Sequence, residues 1–78
     1  MAIKVLVISG PNRGATYFLQ EGENTFGRAP ENQIVLASTQ VSKRHCALNI
    51  QGRKVEMVDI GSSNGTFVNG VLTKRRLL

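Results

Sequence analysis

A chain of 78 residues, 41% of them apolar and 19% charged, suits one small packed domain over residues 1–78 and argues against disorder. One cysteine excludes an internal disulfide, and one cysteine with one histidine excludes the usual zinc site built from nitrogen and sulfur ligands. A formal net charge of +5 favours an acidic partner, whether nucleic acid, anionic lipid or phosphorylated protein.

No apolar run approaches the roughly 20 residues of a membrane span, and the N-terminus lacks a signal peptide's layout, so the expected setting is cytoplasmic, away from membranes. Residues 3–8 (Ile-Lys-Val-Leu-Val-Ile) are rich in β-branched side chains and read as a first strand. Residues 9–14 hold two glycines and a proline and read as a turn, after which residues 15–19 form a second strand and close a hairpin. Residues 21–24 read as another turn, and Thr25, Phe26 and Gly27 as a short third strand. A polar loop over 28–33 leads to an apolar strand at 34–36, and a second loop covers 37–44. Residues 46–50 alternate as a strand does, Gln51 and Gly52 turn, and residues 53–60 form the next strand, with Val55, Met57 and Asp59 on one face. Residues 61–65 are a loop, 66–68 a short strand, and Asn69-Gly70 a tight turn; Val71 and Leu72 start one more strand before the basic tail 74–78. Tyr17, Phe18, Phe26 and Phe67 sit in strand-like patterns, where core packing is the default. No window has sustained helical periodicity, and turn signals recur about every eight to twelve residues, so the expected fold is all-β, a two-sheet sandwich of short antiparallel strands.

The densest chemistry lies in Ser42-Lys43-Arg44-His45, a hydroxyl, two cations and the only histidine in four consecutive positions. Four adjacent polar side chains cannot all serve a core. Arg28, Ser42 and Lys43 fall at strand ends or in loops, where a rigid sandwich presents binding groups. A planar fork of donors, a mobile point charge and a short neutral donor suit a tetrahedral dianion better than a flat carboxylate. Taken alone, Arg28 and Ser42 read equally well as solvated loop residues. Asn64-Gly65 and Asn69-Gly70 are first of all turn formers, because Asn and Gly accept positive φ at low cost.

Other chemistries fit less well. Ser42 and His45 could serve as nucleophile and base, with Asp59 the only acid at a plausible strand end, but the Gly-x-Ser-x-Gly elbow is absent. Residues 61–66 lack the lysine and glycine spacing of a phosphate-binding P-loop, and a strand follows instead of a helix. No metal and no cofactor is expected. A nucleic-acid-binding β-domain would use Arg13, Arg53, Lys54, Lys74, Arg75 and Arg76 as a phosphate track, without a surface series of stacking aromatics to support it.

Phe26-Gly27-Arg28, then Asn32-Gln33-Ile34-Val35-Leu36, then Val41-Ser42-x-x-His45, then the run from Asp59 through Gly-Ser-Ser-Asn-Gly-Thr to Gly70 resembles the forkhead-associated (FHA) domain. Order and spacing match over nearly the whole chain. The resemblance implies a non-catalytic β-sandwich that binds phosphothreonine in an extended segment of a partner, downstream of a Ser/Thr protein kinase. It implies that Arg28, Ser42 and Lys43 contact the phosphate. Ser63 and Asn64 would line the site, with Asn64 reaching the ligand's backbone and Asn69 assisting. Gly27, His45 and Gly65 would be architectural, with His45 holding loops together. A structural module that kept the fold and lost the ligand is the remaining alternative.

The chain departs from the family in two places. Lys43 stands where many members carry arginine, which keeps the charge and loses the bidentate fork. Members also run on through a Gly-Asp turn and two further strands, so the sandwich is expected to lack its last one or two strands. The first strand would then keep an unpaired edge with only Lys4 to discourage pairing, and the expected consequence is either an edge-paired or strand-exchanged homodimer or a stability markedly below that of a version extended by two strands.

Overall fold

The computed structural model describes residues 3–78. The first hairpin pairs β1 (Lys4–Leu6) with β2 (Thr16–Phe18), antiparallel, with Val5 opposite Tyr17. Backbone bonds from Val7 to Ala15 and from Leu19 to Ile3 extend the pairing beyond both strand ends. The turn between them places Gly10 and Gly14 at φ of +87° and +91°, backbone that a side chain with a Cβ rarely adopts.

The main sheet runs in the order β4 (Ile34–Val35), β3 (Gly22–Gly27), β5 (Cys46–Gln51), β6 (Lys54–Asp59) and β9 (Arg75–Leu77). β3, β5, β6 and β9 pair antiparallel in succession, whereas β4 lies parallel to the end of β3, with Phe26 opposite Ile34. A third sheet is the hairpin β7 (Phe67–Val68) with β8 (Val71–Leu72), closed by Asn69 and Gly70 at φ of +50° and +81°. Two positive φ values in a two-residue loop match the right-handed twist of its flanking strands, and Asn-Gly adopts them most easily. The fold is therefore the expected all-β sandwich, with no helix among the described residues and hence none long and apolar enough to cross a membrane. Two further two-stranded hairpins accompany the main sheet, and among the described residues β1 pairs with no strand other than β2.

Register fixes which residues meet in the core. Asn24, Leu48 and Met57 stand side by side across three strands, as do Phe26, Cys46 and Asp59. This face carries the buried Phe26, Ile34, Ile50 and Met57, and it includes Val55, Met57 and Asp59 as the alternation predicts.

Three expectations are corrected. The turn placed at residues 21–24 is strand from Gly22 onward, because Asn24 is fully buried at 0% exposure and spends its amide on the main chain. Its Nδ2 donates to the carbonyls of Gln20, Gly22 and Leu48 at 2.9, 3.2 and 3.1 Å, and its Oδ1 accepts from the Gln20 N–H at 2.9 Å. A side chain that joins β3 to β5 in this way does the work of a core residue. Second, Phe18 and Phe67 are 72% and 60% exposed, so of the aromatics only Phe26 is a core residue and Tyr17 is half-buried. Both exposed rings lie on the two small hairpins, each a separate two-stranded sheet among the described residues. Third, the basic tail is strand β9. Backbone bonds from Asp59 to Lys74 and from Leu78 to Val55 dock it on β6, and Arg75 meets Glu56 at 3.4 Å.

Candidate functional site

The loops at one end of the main sheet, where β3 ends and β5 begins, converge through main-chain contacts that the sequence makes necessary. Gly27 has no space for a Cβ. One built there would strike the Lys43 carbonyl and lie 2.6 Å from the Asn32 side chain. That close approach lets the Arg28 N–H donate to the Ser42 carbonyl at 3.0 Å and the Ala29 N–H to the Lys43 carbonyl at 3.2 Å. Asn32, 7% exposed, completes the clamp: its Nδ2 donates to the carbonyls of Ala29 at 2.8 Å and Lys43 at 2.6 Å. Arg28 is thereby held beside Ser42 and Lys43, although residues 29–41, with β4 among them, lie between in sequence.

His45 links this pair of loops to the next. Its Nδ1 accepts from the Ser42 N–H at 3.1 Å while its Nε2 lies 3.0 Å from the Gly65 carbonyl. A carbonyl can only accept, so Nε2 carries the proton and the ring is the neutral tautomer. Gly65 sits at φ +89°, and a Cβ on it would come within 2.5 Å of Leu72 Cδ1. Gly27, His45 and Gly65 thus lie where these loops approach one another.

The loop over residues 61–65 is shaped by Asp59. Its carboxylate accepts from the N–H groups of Gly61 and Ser62 at 2.9 and 3.0 Å, from the Thr66 hydroxyl at 3.0 Å, and from the Ser62 hydroxyl. Desolvation pushes the carboxyl upward, but the hydrogen bonds from Ser62, Gly61 and Thr66 outweigh it and hold the group far below the ordinary carboxylate range. Burial first, and the adjacent Asp59 charge second, push the neighbouring Cys46 thiol up to about 11.

Between these loops lies an open depression of about 410 Å³, lined by Arg28, Ser42, Lys43 and Arg44 on one side and by Ile60, Gly61 and Ser63 on the other. The Ser42 hydroxyl accepts from the Ser63 N–H at 2.8 Å, which leaves its own O–H free to donate. Arg28 spends Nε on the Val41 carbonyl at 3.1 Å, which orients the guanidinium and leaves both terminal nitrogens without a partner among the described residues. No acidic side chain lines the depression. The Arg28 and Lys43 cations, with the Ser42 hydroxyl as donor, can bind an anion with several acceptor oxygens in this hollow. A larger hollow, about 570 Å³, lies at the far end of the same sheet, but its lining sets Glu23 and Glu56 against the single cation Lys54, the wrong balance of charge for that purpose.

The structure brings Arg28, Ser42, Lys43 and Ser63 together. Asn64 stands just outside the lining: its Nδ2 donates to the Gln40 carbonyl at 2.8 Å and ties the two loops, leaving Oδ1 free to accept. Asn69 occupies the β7–β8 turn and is not part of the lining. Arg44 and Asn32 were not singled out by sequence reasoning. Arg44 stands in the cluster Ser42-Lys43-Arg44-His45, but no ligand role is assigned to it there. Asn32 stood inside a quoted motif, but nothing local to it shows that its amide reaches 11 residues along the chain to Lys43.

The FHA domain profile matches residues 24–78. Among curated proteins, the oxoglutarate dehydrogenase inhibitor of Corynebacterium glutamicum is 45% identical over 65 residues, which cover 83% of this chain and 46% of that protein. The glycogen accumulation regulator GarA of Mycobacterium tuberculosis is 37% identical over 65 residues, 83% of this chain and 40% of its own. The chain spans about half the length of these curated relatives or somewhat less. Among solved structures, one from a structural and functional analysis of phosphothreonine-dependent FHA domain interactions superposes with a TM-score of 0.92 at 33% identity, over 100% of this chain and 79% of that one. The FhaA FHA domain complexed with the intracellular domain of Rv3910 gives 0.81 at 37% identity, over 87% of this chain and 75% of that one. With order, spacing, fold and loop geometry in agreement, this chain belongs to the forkhead-associated domain family.

Proposed function

We propose that this domain is a non-catalytic module that recognises phosphothreonine in a partner protein, and so makes an interaction depend on a Ser/Thr kinase. The observation that carries it is the convergence of Arg28, Ser42 and Lys43 on a depression free of acidic side chains, each with donor capacity left over after its internal bonds. A phosphate monoester carries about −1.5 to −2 charge at pH 7 and three acceptor oxygens, which these donors match in charge and number. Arg28 supplies two parallel N–H donors, Lys43 a mobile charge, and the Ser42 hydroxyl a short directed bond. Ser63 presents its loop backbone at the rim, and Asn64 Oδ1 is placed to accept a main-chain N–H from the ligand. Asn69 assists through the turn that fixes β7 and β8.

The names of the relatives, an inhibitor and a regulator, fit a protein that acts by binding, and the phosphothreonine dependence named for one solved neighbour supports the choice of ligand. The cytoplasm, where kinases act and a lone cysteine stays reduced, is the setting this reading requires.

Calorimetric titration with phosphothreonine peptides tests it. A hydrogen bond to a charged group contributes about 1.5 to 3 kcal/mol, so Arg28→Ala should weaken binding at least tenfold and removal of the phosphate should abolish it. Equal binding by wild type and Arg28→Ala, or by peptides with and without phosphate, would refute the assignment. So would tighter binding to duplex DNA than to any phosphopeptide.

A further inference from the structure

Charge around the phosphate depression does not balance with a phosphate alone. Arg28 and Lys43 together supply two positive charges, which match the −1.5 to −2 of a phosphothreonine at pH 7. Arg44 lines the same depression and adds a third. Its main chain lies against the opposite loop, with its carbonyl 3.7 Å from where a Cβ on Gly61 would be. Its exposed side chain has neither hydrogen bond nor ion-pair partner among the described residues, where the recorded ion pair joins Arg75 to Glu56. Asp59, next to the lining residue Ile60, makes no ion pair with it. That carboxylate is already committed to Gly61, Ser62 and Thr66. Arg44 is therefore an exposed cation without a side-chain partner among the residues lining the hollow, beside two others, and a negative charge brought by a ligand would relieve their mutual repulsion.

We propose that Arg44 forms a second anion-binding position beside the phosphothreonine site and selects phosphothreonine segments that carry an acidic residue within a few positions of the phosphate. This rests on the phosphothreonine reading and deepens it, by naming a residue that sets sequence preference. The acidic side chain of the ligand pairs with Arg44 at the solvent edge of the depression, so the gain is that of a partly exposed ion pair and fades as salt screens it.

Three phosphothreonine peptides that differ only in their flanking residues, acidic, alanine or lysine, test the proposal by calorimetry at low and high salt, each beside its unphosphorylated form. Wild type is expected to bind the acidic-flanked peptide about three- to fivefold more tightly than the alanine-flanked one at low salt, and nearly equally at high salt. Arg44→Ala should erase the preference and leave the alanine-flanked peptide within about twofold of wild type. Arg44→Lys should restore the preference, and Arg44→Glu should turn it toward the lysine-flanked peptide. Circular dichroism establishes that each variant is folded. A wild type indifferent to flanking charge, or an Arg44→Ala variant that keeps the preference or weakens all three peptides alike, would overturn the role of Arg44 while leaving the phosphothreonine site intact. Binding that ignores the phosphate would overturn both.

Discussion

Replacing Asn32 should weaken ligand binding although its side chain does not line the depression. Its Nδ2 donates to two carbonyls, Ala29 at 2.8 Å and Lys43 at 2.6 Å, from a position only 7% exposed. A net 0.5 to 1.5 kcal/mol for each bond sets a ceiling of about 3 kcal/mol for Asn32→Ala. Both carbonyls keep a second donor, since the Asn32 N–H still reaches Ala29 and the Ala29 N–H still reaches Lys43, each at 3.2 Å. The expected loss is therefore about 1 to 2 kcal/mol, against roughly 4 to 12 kcal/mol for a whole domain of this length. Asn32→Asp keeps the shape but sets a carboxylate against two carbonyl oxygens, and it should cost more than alanine does. In both variants the 28–33 loop loosens from residues 42 and 43, so Arg28 and Lys43 no longer share a fixed spacing. Phosphopeptide affinity should fall several-fold even where the domain remains folded. Urea melts give the stability, and calorimetry well below the melting transition gives the affinity. An aspartate variant as stable as wild type, or an alanine variant with unchanged stability and affinity, would show that the clamp does not position the site.

Three further outcomes are expected. Asn24→Ala removes three donated bonds and two accepted bonds from a fully buried position, and should cost about 2 to 4 kcal/mol in urea melts; a loss below about 0.5 kcal/mol would contradict its role. The Cys46 thiol, pushed up to about 11 by burial and by Asp59, stays protonated near pH 8, so a thiol reagent should label the folded protein far more slowly than the unfolded one, and equal rates would refute this. Asp59 is held below the ordinary carboxylate value of about 4, so its contribution to stability is full above that value and is lost as pH falls through the folded value. The stability difference between wild type and Asp59→Asn should then be constant from pH 7 to about pH 5 and shrink below about pH 4; a difference already shrinking at pH 6 would be inconsistent with the depressed carboxyl.

What could be read from the sequence was local chemistry. Donor types at Arg28, Ser42 and Lys43, turn formers at Asn69-Gly70, and strand punctuation by glycine each follow from the residue and its neighbours. What could not be read depends on contacts distant in sequence. Asn24 looked like a turn residue, because asparagine usually is one, and only its pairing with Leu48 across 24 residues makes it a core position. Residues 74–78 carry no strand signal of their own, and it is pairing with β6 that makes Arg75–Leu77 a strand. Phe18 and Phe67 look like core residues in any window of sequence, and they are exposed on hairpins that are each a separate two-stranded sheet among the described residues. The parallel pairing of β4 with β3 rests on only two residue pairs, too few for any periodicity to announce. At the site the same division holds. The donors were legible, while the clamp through Gly27 and Asn32 that brings them together was not.

The location of the ligand tests the account most directly. Backbone amide shifts recorded by NMR during titration with a phosphothreonine peptide would map it residue by residue. The account predicts the largest changes at Arg28, Ser42, Lys43 and Ser63, with Asn64 following as its free Oδ1 takes up the ligand's main chain. Changes centred on Glu23, Asn49 and Gln51 at the far end of the sheet, or along Lys74, Arg75 and Arg76, would contradict it.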